Sequence, residues 1–198
     1  VLFLVHDILW LAGGIALFFV WRFAINWQVN EMYVTPGDTR FMLPKPERSK
    51  VSRYSLESIA TFVPLSVFVL MRGILFVLPN SLPMIGVLCA VGSHLWAVCG
   101  IGVIVNITKS YVGYPRPYML TECSPGVNLT DCKANSKRIN KLFISWPSYH
   151  AATAMSSAVF LICVIQEYLR SLPLLNSLLS LLILGAAIRV GSDRIREY

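Results

Sequence analysis

The chain has 198 residues, of which 56% are hydrophobic and 14% charged, and its mean hydropathy is +0.63. Soluble domains carry about 45–50% apolar and about 25% charged residues, so a soluble enzyme, a disordered chain and a secreted disulfide miniprotein are excluded. What remains is a single membrane-embedded domain over 1–198, with a net charge of +7 from 17 Lys and Arg against 10 Asp and Glu.

A membrane-crossing helix needs about 17–25 mostly apolar residues. The first candidate span is 8–24, with Trp10, Trp21 and Trp27 suited to interfacial belts. No basic stretch precedes it and no small-residue cleavage site follows, which argues against a signal peptide. Residues 26–57 are polar, with turns at Pro36-Gly37-Asp38 and Pro44-Lys45-Pro46. The second span is 59–78, with Arg72 reaching toward its nearer end. After the turn at 79–83 comes a third span, 84–107, whose glycines permit close helix packing and whose His94 is read as a packed or hydrogen-bonded histidine. A polar loop over 108–147 leads to the fourth span, 149–168. A short turn then leads to the fifth, 174–190, entered through Pro173. The fold class is all-α, an integral membrane helical bundle.

Counting spans sorts the loops onto two sides. Loops 26–57, 108–147 and 191–198 share one side and carry 13 of the Lys and Arg, whereas the connections on the other side carry only Arg170. The basic residues thus face lipid headgroups or a phosphorylated substrate, and nucleic acid is not an expected partner. Positive-inside bias would put this side in the cytosol. A sequon at Asn128-Leu129-Thr130, flanked by Cys123 and Cys132 in the same polar loop, points the other way. A second sequon, Asn106-Ile107-Thr108, lies too close to the membrane to be used.

Three clusters at span ends on the basic side carry chemistry. In Lys109-Ser110-Tyr111-Val112-Gly113-Tyr114-Pro115-Arg116-Pro117, a lysine point charge and a planar guanidinium complement the oxygens of one phosphate; two juxtamembrane cations meeting headgroups would look the same. In Pro147-Ser148-Tyr149-His150, a helix start offers free amides and a positive dipole end, Ser148 a hydroxyl, and His150 a proton near neutral pH. A capping serine and an interfacial histidine are the plainer reading of that cluster. The third cluster, Gly191 to Tyr198, contributes Arg194. Lys109, Arg116, Ser148, His150 and Arg194 converge on one face, and the chain has no Cys/His spacing for a metal.

Lysine, six residues, then Arg116-Pro117; Pro-Ser-x-His; and Val190-Gly191-x-x-Arg194 together resemble the three motifs of the lipid phosphate phosphatases, the type-2 phosphatidic acid phosphatases. The resemblance implies six membrane helices, of which five fall within the chain, and a pocket on the extracellular or lumenal face of a plasma membrane or endomembrane. It implies hydrolysis of lipid phosphate monoesters through a phosphohistidine, without metal or other cofactor. Lys109, Arg116 and Arg194 would hold the phosphate oxygens, Ser148 would add a hydrogen bond, and His150 would protonate the leaving oxygen. The family nucleophile, a histidine six residues past the third-motif arginine, would fall two positions beyond Tyr198. The 198 residues are therefore expected to be a truncated, inactive part of an active parent. The orientation also implies a glycan on Asn128 and leaves Cys123 and Cys132 free to form a disulfide.

Two positions depart from the family pattern. Tyr149 stands where glycine is usual and would bring bulk to the phosphate, and Asp193 stands where serine is frequent. The loop Pro117 to Cys123 and the replaced glycine resemble the catalytically weak phospholipid phosphatase-related branch, whereas the retained Lys109 and Arg116 do not. A non-catalytic membrane protein binding lipids or partner proteins is the alternative, and homo-oligomerisation stays open.

Overall fold

The computed structural model describes residues 2–20, 34–35, 38–44, 53–76, 84–122 and 141–197. The helices are α1 (Leu2–Phe19), α2 (Arg53–Phe76), α3 (Met84–Val112), the short α4 (Met119–Glu122), α5 (Tyr149–Tyr168) and α6 (Pro173–Glu197). A 3-10 turn, Thr39–Phe41, precedes α2. Four of these helices are long and apolar enough to cross a membrane, over Ser55–Arg72, Val87–Val112, Tyr149–Tyr168 and Pro173–Arg194; α1 contributes a shorter apolar stretch, Val5–Phe19. The chain is thus a helical membrane bundle, as its composition predicts.

The helix ends differ instructively from the hydropathy boundaries. Helix α3 runs five residues past the predicted end at 107, and α6 runs seven past 190. Hydropathy marks the hydrocarbon layer, whereas backbone hydrogen bonding continues through the headgroup region. Both extensions matter, because they carry Lys109 and Arg194. At the other end of the first span, α1 begins six residues before the predicted start, and Asp7 is buried with His6 Nδ1 3.1 Å from its Oδ1. Trp10 packs between helices: it stacks on Trp96, donates from Nε1 to Ser93 Oγ, and accepts Trp96 Nε1–H at its own carbonyl. Trp21 and Trp27 lie outside the described residues.

Close packing of α1 on α3 depends on Gly92. A Cβ there would stand 3.2 Å from the backbone N and Cα of Leu11, so the two backbones approach as only a small residue allows. Helix α5 packs against α2, α3 and α6, and is the central element of the second half of the chain.

Three helices meet at one carbonyl. Pro64 lies inside α2 and has no N–H to give the carbonyl of Ala60, four residues earlier. A carbonyl left open in hydrocarbon is costly. Here His94 Nε2 of α3 donates to it at 3.1 Å and Ser157 Oγ of α5 at 2.8 Å. His94 is fully buried and its ring lies 4.4 Å from that of Phe160, so it is the packed, hydrogen-bonded residue its sequence context suggests.

The loops on the basic side build a small core of their own, which their polar composition conceals. Val34, Phe41, Tyr118, Met119, Leu142 and Phe143 form one buried cluster. Leu43 N–H donates to Pro117 O at 2.9 Å and Thr121 Oγ1 to Leu43 O at 2.9 Å, strapping the segment before α2 onto the loop after α3. Asp38 caps the 3-10 turn, and Arg40 grips its carboxylate from Nε (3.1 Å) and Nη2 (2.7 Å). Those hydrogen bonds hold the Asp38 carboxyl below its ordinary range.

If the Ala60 carbonyl is what His94 serves, His94→Phe, which keeps the ring and removes the donor, should lower stability by about 1 kcal/mol. Pro64→Ala returns a backbone N–H to the same carbonyl, so the His94→Phe penalty should shrink in that background. A double-mutant cycle from unfolding in detergent measures the coupling. Penalties that add within about 0.3–0.5 kcal/mol would contradict the shared acceptor.

Candidate functional site

The first motif is shaped by the end of α3. Lys109 lies in the last turn of that helix, and Gly113 terminates it with φ 58°, donating its N–H back to Lys109 O at 2.9 Å. This left-handed turn favours glycine and redirects the chain across the mouth of the bundle. The strand-like stretch that follows is zipped to the segment before α5. Arg116 N–H donates to Leu142 O at 2.7 Å and Ser145 N–H to Tyr114 O at 3.1 Å. The Arg116 guanidinium is aimed by two further bonds, Nε to Lys141 O at 2.8 Å and Nη1 to Tyr118 Oη at 2.9 Å. A guanidinium has five N–H donors in a fixed plane, so fixing two orients the rest.

The second motif is the start of α5. Ser148 is its N-cap and accepts Ala151 N–H at 3.4 Å. Capping uses the oxygen as an acceptor and leaves the hydroxyl proton to donate elsewhere, so the plain and the functional readings of Ser148 are compatible. His150 stands in the first turn, its ring edge-on to Tyr149 with centroids 6.3 Å apart. Tyr149 does not simply fill the phosphate position. Its side chain is 4% exposed and packs against α3 in a cluster with Cys99 and Val105, while also forming part of the cavity wall. Arg194, which a basic tail would leave solvated, sits on the extension of α6 and is only 5% exposed.

These parts enclose one open cavity of about 740 Å³ at the basic end of the bundle. Lys109, Arg116, Ser148, His150 and Arg194 all line it, so the structure brings together every residue singled out for phosphate chemistry. Among the described residues no carboxylate lines it. Three cations and the positive end of α5 converge on it, an arrangement that favours an anion. Asn106, Tyr114, Ser145 and Trp146 also line it and escape a motif-based reading. Asn106 carried a usable signal, because it lies three residues before Lys109 on the same helix face. Its sequon is part of α3, where Thr108 Oγ1 donates back to Ile104 O at 2.8 Å. Asn128, Cys123 and Cys132 lie outside the described residues.

The fold and this cavity define a helical membrane protein with a cation-lined cavity at the end of its bundle. The chain belongs to the PAP2 superfamily, whose profile matches residues 90–198 and so takes in all three motifs. It is 29% identical over 123 residues to phospholipid phosphatase-related protein type 1 of Mus musculus, covering 54% of this chain and 38% of that protein. It is 32% identical over 123 residues to phospholipid phosphatase-related protein type 4 of Homo sapiens, covering 54% of this chain and 16% of that one. The chain therefore spans well under half the length of these relatives. No solved structure matches it significantly.

Because the Tyr149 ring is buried against α3, Tyr149→Gly should open a void and cost about 3 kcal/mol or more of stability, as large-to-small core changes do. Tyr149→Phe should cost under about 1.5 kcal/mol. Thermal unfolding in detergent distinguishes them. Unchanged stability in the glycine variant would show that the ring is not part of the helix interface.

Proposed function

We propose that the complete protein is a metal-independent phosphatase acting on lipid phosphate monoesters such as phosphatidate, lysophosphatidate or sphingoid phosphates. The observation that carries this reading is the convergence of Lys109, Arg116 and Arg194, from three separate segments, on one cavity that also holds Ser148 and His150. A phosphate monoester brings up to two negative charges and three terminal oxygens. Two arginine forks, a lysine and the α5 amides match that inventory. The cavity lies at the membrane face, where an amphipathic substrate can present its headgroup while its hydrocarbon stays in the bilayer. On this reading the face is extracellular or lumenal, the bilayer and the lipid phosphate are the partners, and the family domain spans 1–198.

The chemistry follows from the family resemblance. The resemblance implies a histidine nucleophile that attacks phosphorus; the P–O bond to the lipid breaks, and His150 gives its proton to the departing alkoxide. Water then cleaves the phosphohistidine. The cations act throughout by neutralising charge on the equatorial oxygens, and such electrostatic stabilisation, with positioning, supplies most of the catalysis in phosphoryl transfer.

The Tyr149 substitution and the names of the relatives favour a second reading, a lipid-phosphate-binding member with little or no turnover. Phosphate release from lysophosphatidate by the full-length protein, in detergent without magnesium, separates the two. Lys109→Ala/Arg116→Ala should reduce release by about 100-fold or more. Equal, slow release from wild type and double mutant would end the phosphatase reading and leave the binder.

A further inference from the structure

Asn106 and Lys109 both line the cation-rich cavity from α3, the asparagine three residues earlier and so deeper in the membrane span Val87–Val112. At 1.5 Å per residue the two stand about 4.5 Å apart along the helix axis. The neighbouring Ile104 and Ile107 are 59% and 43% exposed and face lipid, whereas Asn106 is half-buried and turned to the cavity. Its carboxamide carries two N–H donors and an acceptor oxygen. Among the described residues no group hydrogen-bonds that amide, so both functions are open to a ligand.

With a phosphate held level with Lys109, the carbon skeleton of a lipid leads from it toward the bilayer and passes Asn106. The offset between the two side chains reaches the substituent on the carbon next to the ester carbon. That substituent is where the lipid phosphate monoesters differ: a hydroxyl in lysophosphatidate, an acyl ester in phosphatidate, an ammonium in sphingoid phosphates. A carboxamide fits them unequally. A hydroxyl donates and accepts, matching both amide functions, whereas an ester oxygen only accepts and an ammonium only donates. The ammonium would also sit one helical turn from Lys109, where a dianionic phosphate offsets only two of the three lining positive charges.

We propose that Asn106 is the selectivity residue of the cavity. Its amide hydrogen-bonds the substituent beside the phosphate ester and favours a phosphate monoester with a free hydroxyl there. This rests on the phosphate-monoester reading and deepens it: the cations recognise the phosphate that all such lipids share, and Asn106 tells the lipids apart. A site that hydrogen-bonds a substrate hydroxyl discriminates against the analogue without one, because its own polar groups are then left unpaired.

The test measures affinities of the full-length protein in detergent for three ether-linked lysophosphatidate phosphonates, which resist hydrolysis. They share one alkyl chain and differ only at the second glycerol carbon, which bears a hydroxyl, a hydrogen or an amine. Wild type should bind the hydroxyl compound about fivefold or more tightly than the deoxy compound, the effect of one net hydrogen bond. The amine should bind no better than the deoxy compound. Asn106→Leu should bring the hydroxyl and deoxy compounds within about twofold of each other. Asn106→Asp, which keeps the shape and adds a negative charge, should reverse the order and favour the amine. An asparagine with a purely structural role would not produce that reversal. Thermal unfolding checks that each variant is folded, and if Asn106→Leu is not, the order in Asn106→Asp decides. Equal wild-type affinities for the hydroxyl and deoxy compounds would overturn the assignment, as would a preference that survives Asn106→Leu or fails to reverse in Asn106→Asp. If Lys109→Ala/Arg116→Ala nevertheless abolishes binding of all three, the phosphate reading stands and Asn106 alone is removed. Binding indifferent to that double mutant would remove the phosphate reading, and the selectivity residue with it.

Discussion

An open backbone carbonyl in hydrocarbon has no water to turn to, and the carbonyl of Ala60, deprived of its helical donor by Pro64, is the point around which this bundle is arranged. His94 and Ser157 supply the missing donors from α3 and α5. These are the helices whose ends form the cavity. Fixing their mutual position in the membrane lets Tyr149, the first residue of α5, pack against Val105, one turn before Lys109. The lysine is thereby carried just beyond the helix start that presents Ser148 and His150. The apolar interior and the polar mouth are consequences of one register.

At the mouth the dominant physics is electrostatic. Gathering Lys109, Arg116 and Arg194 around one cavity costs repulsion and desolvation, and on the proposed reading a bound anion offsets those costs. At an effective dielectric constant of about 20, each close pair of unit charges is worth about 4 kcal/mol. A dianionic phosphate meeting three cations therefore outweighs a singly charged headgroup by a wide margin. The aim of those charges is mechanical: Gly113 turns the chain, the 114–116 and 142–145 segments pair, and Lys141 O with Tyr118 Oη sets the guanidinium plane of Arg116. The loop core under Phe41 and Phe143 holds that assembly in place.

Much of this was legible in the sequence, and the reasons for the remainder are specific. Apolar runs located the bundle because bilayer insertion depends on summed hydropathy. That Lys109, Arg116, Ser148, His150 and Arg194 meet at one cavity was legible because the motifs keep fixed spacings at span ends. The helical extension that buries Arg194 was hidden, since hydropathy stops where the hydrocarbon does. The core in the loops was hidden too, because its members come from three distant polar segments and show no periodicity. Tyr149 illustrates the limit most clearly: its identity marks a departure from glycine, but only tertiary packing shows its ring turned against α3. The partnership of Pro64 with His94 is likewise invisible along the chain, although each residue alone invites a question.

The central claim is that Lys109, Arg116 and Arg194 hold one tetrahedral oxyanion. An experimental structure of the protein soaked with tungstate tests it directly through anomalous scattering. A single tungstate among the three side chains, beside Ser148 and the first turn of α5, is the predicted result. Ordered tungstate elsewhere with this cavity empty, or Arg194 turned away from the oxyanion, would contradict the account.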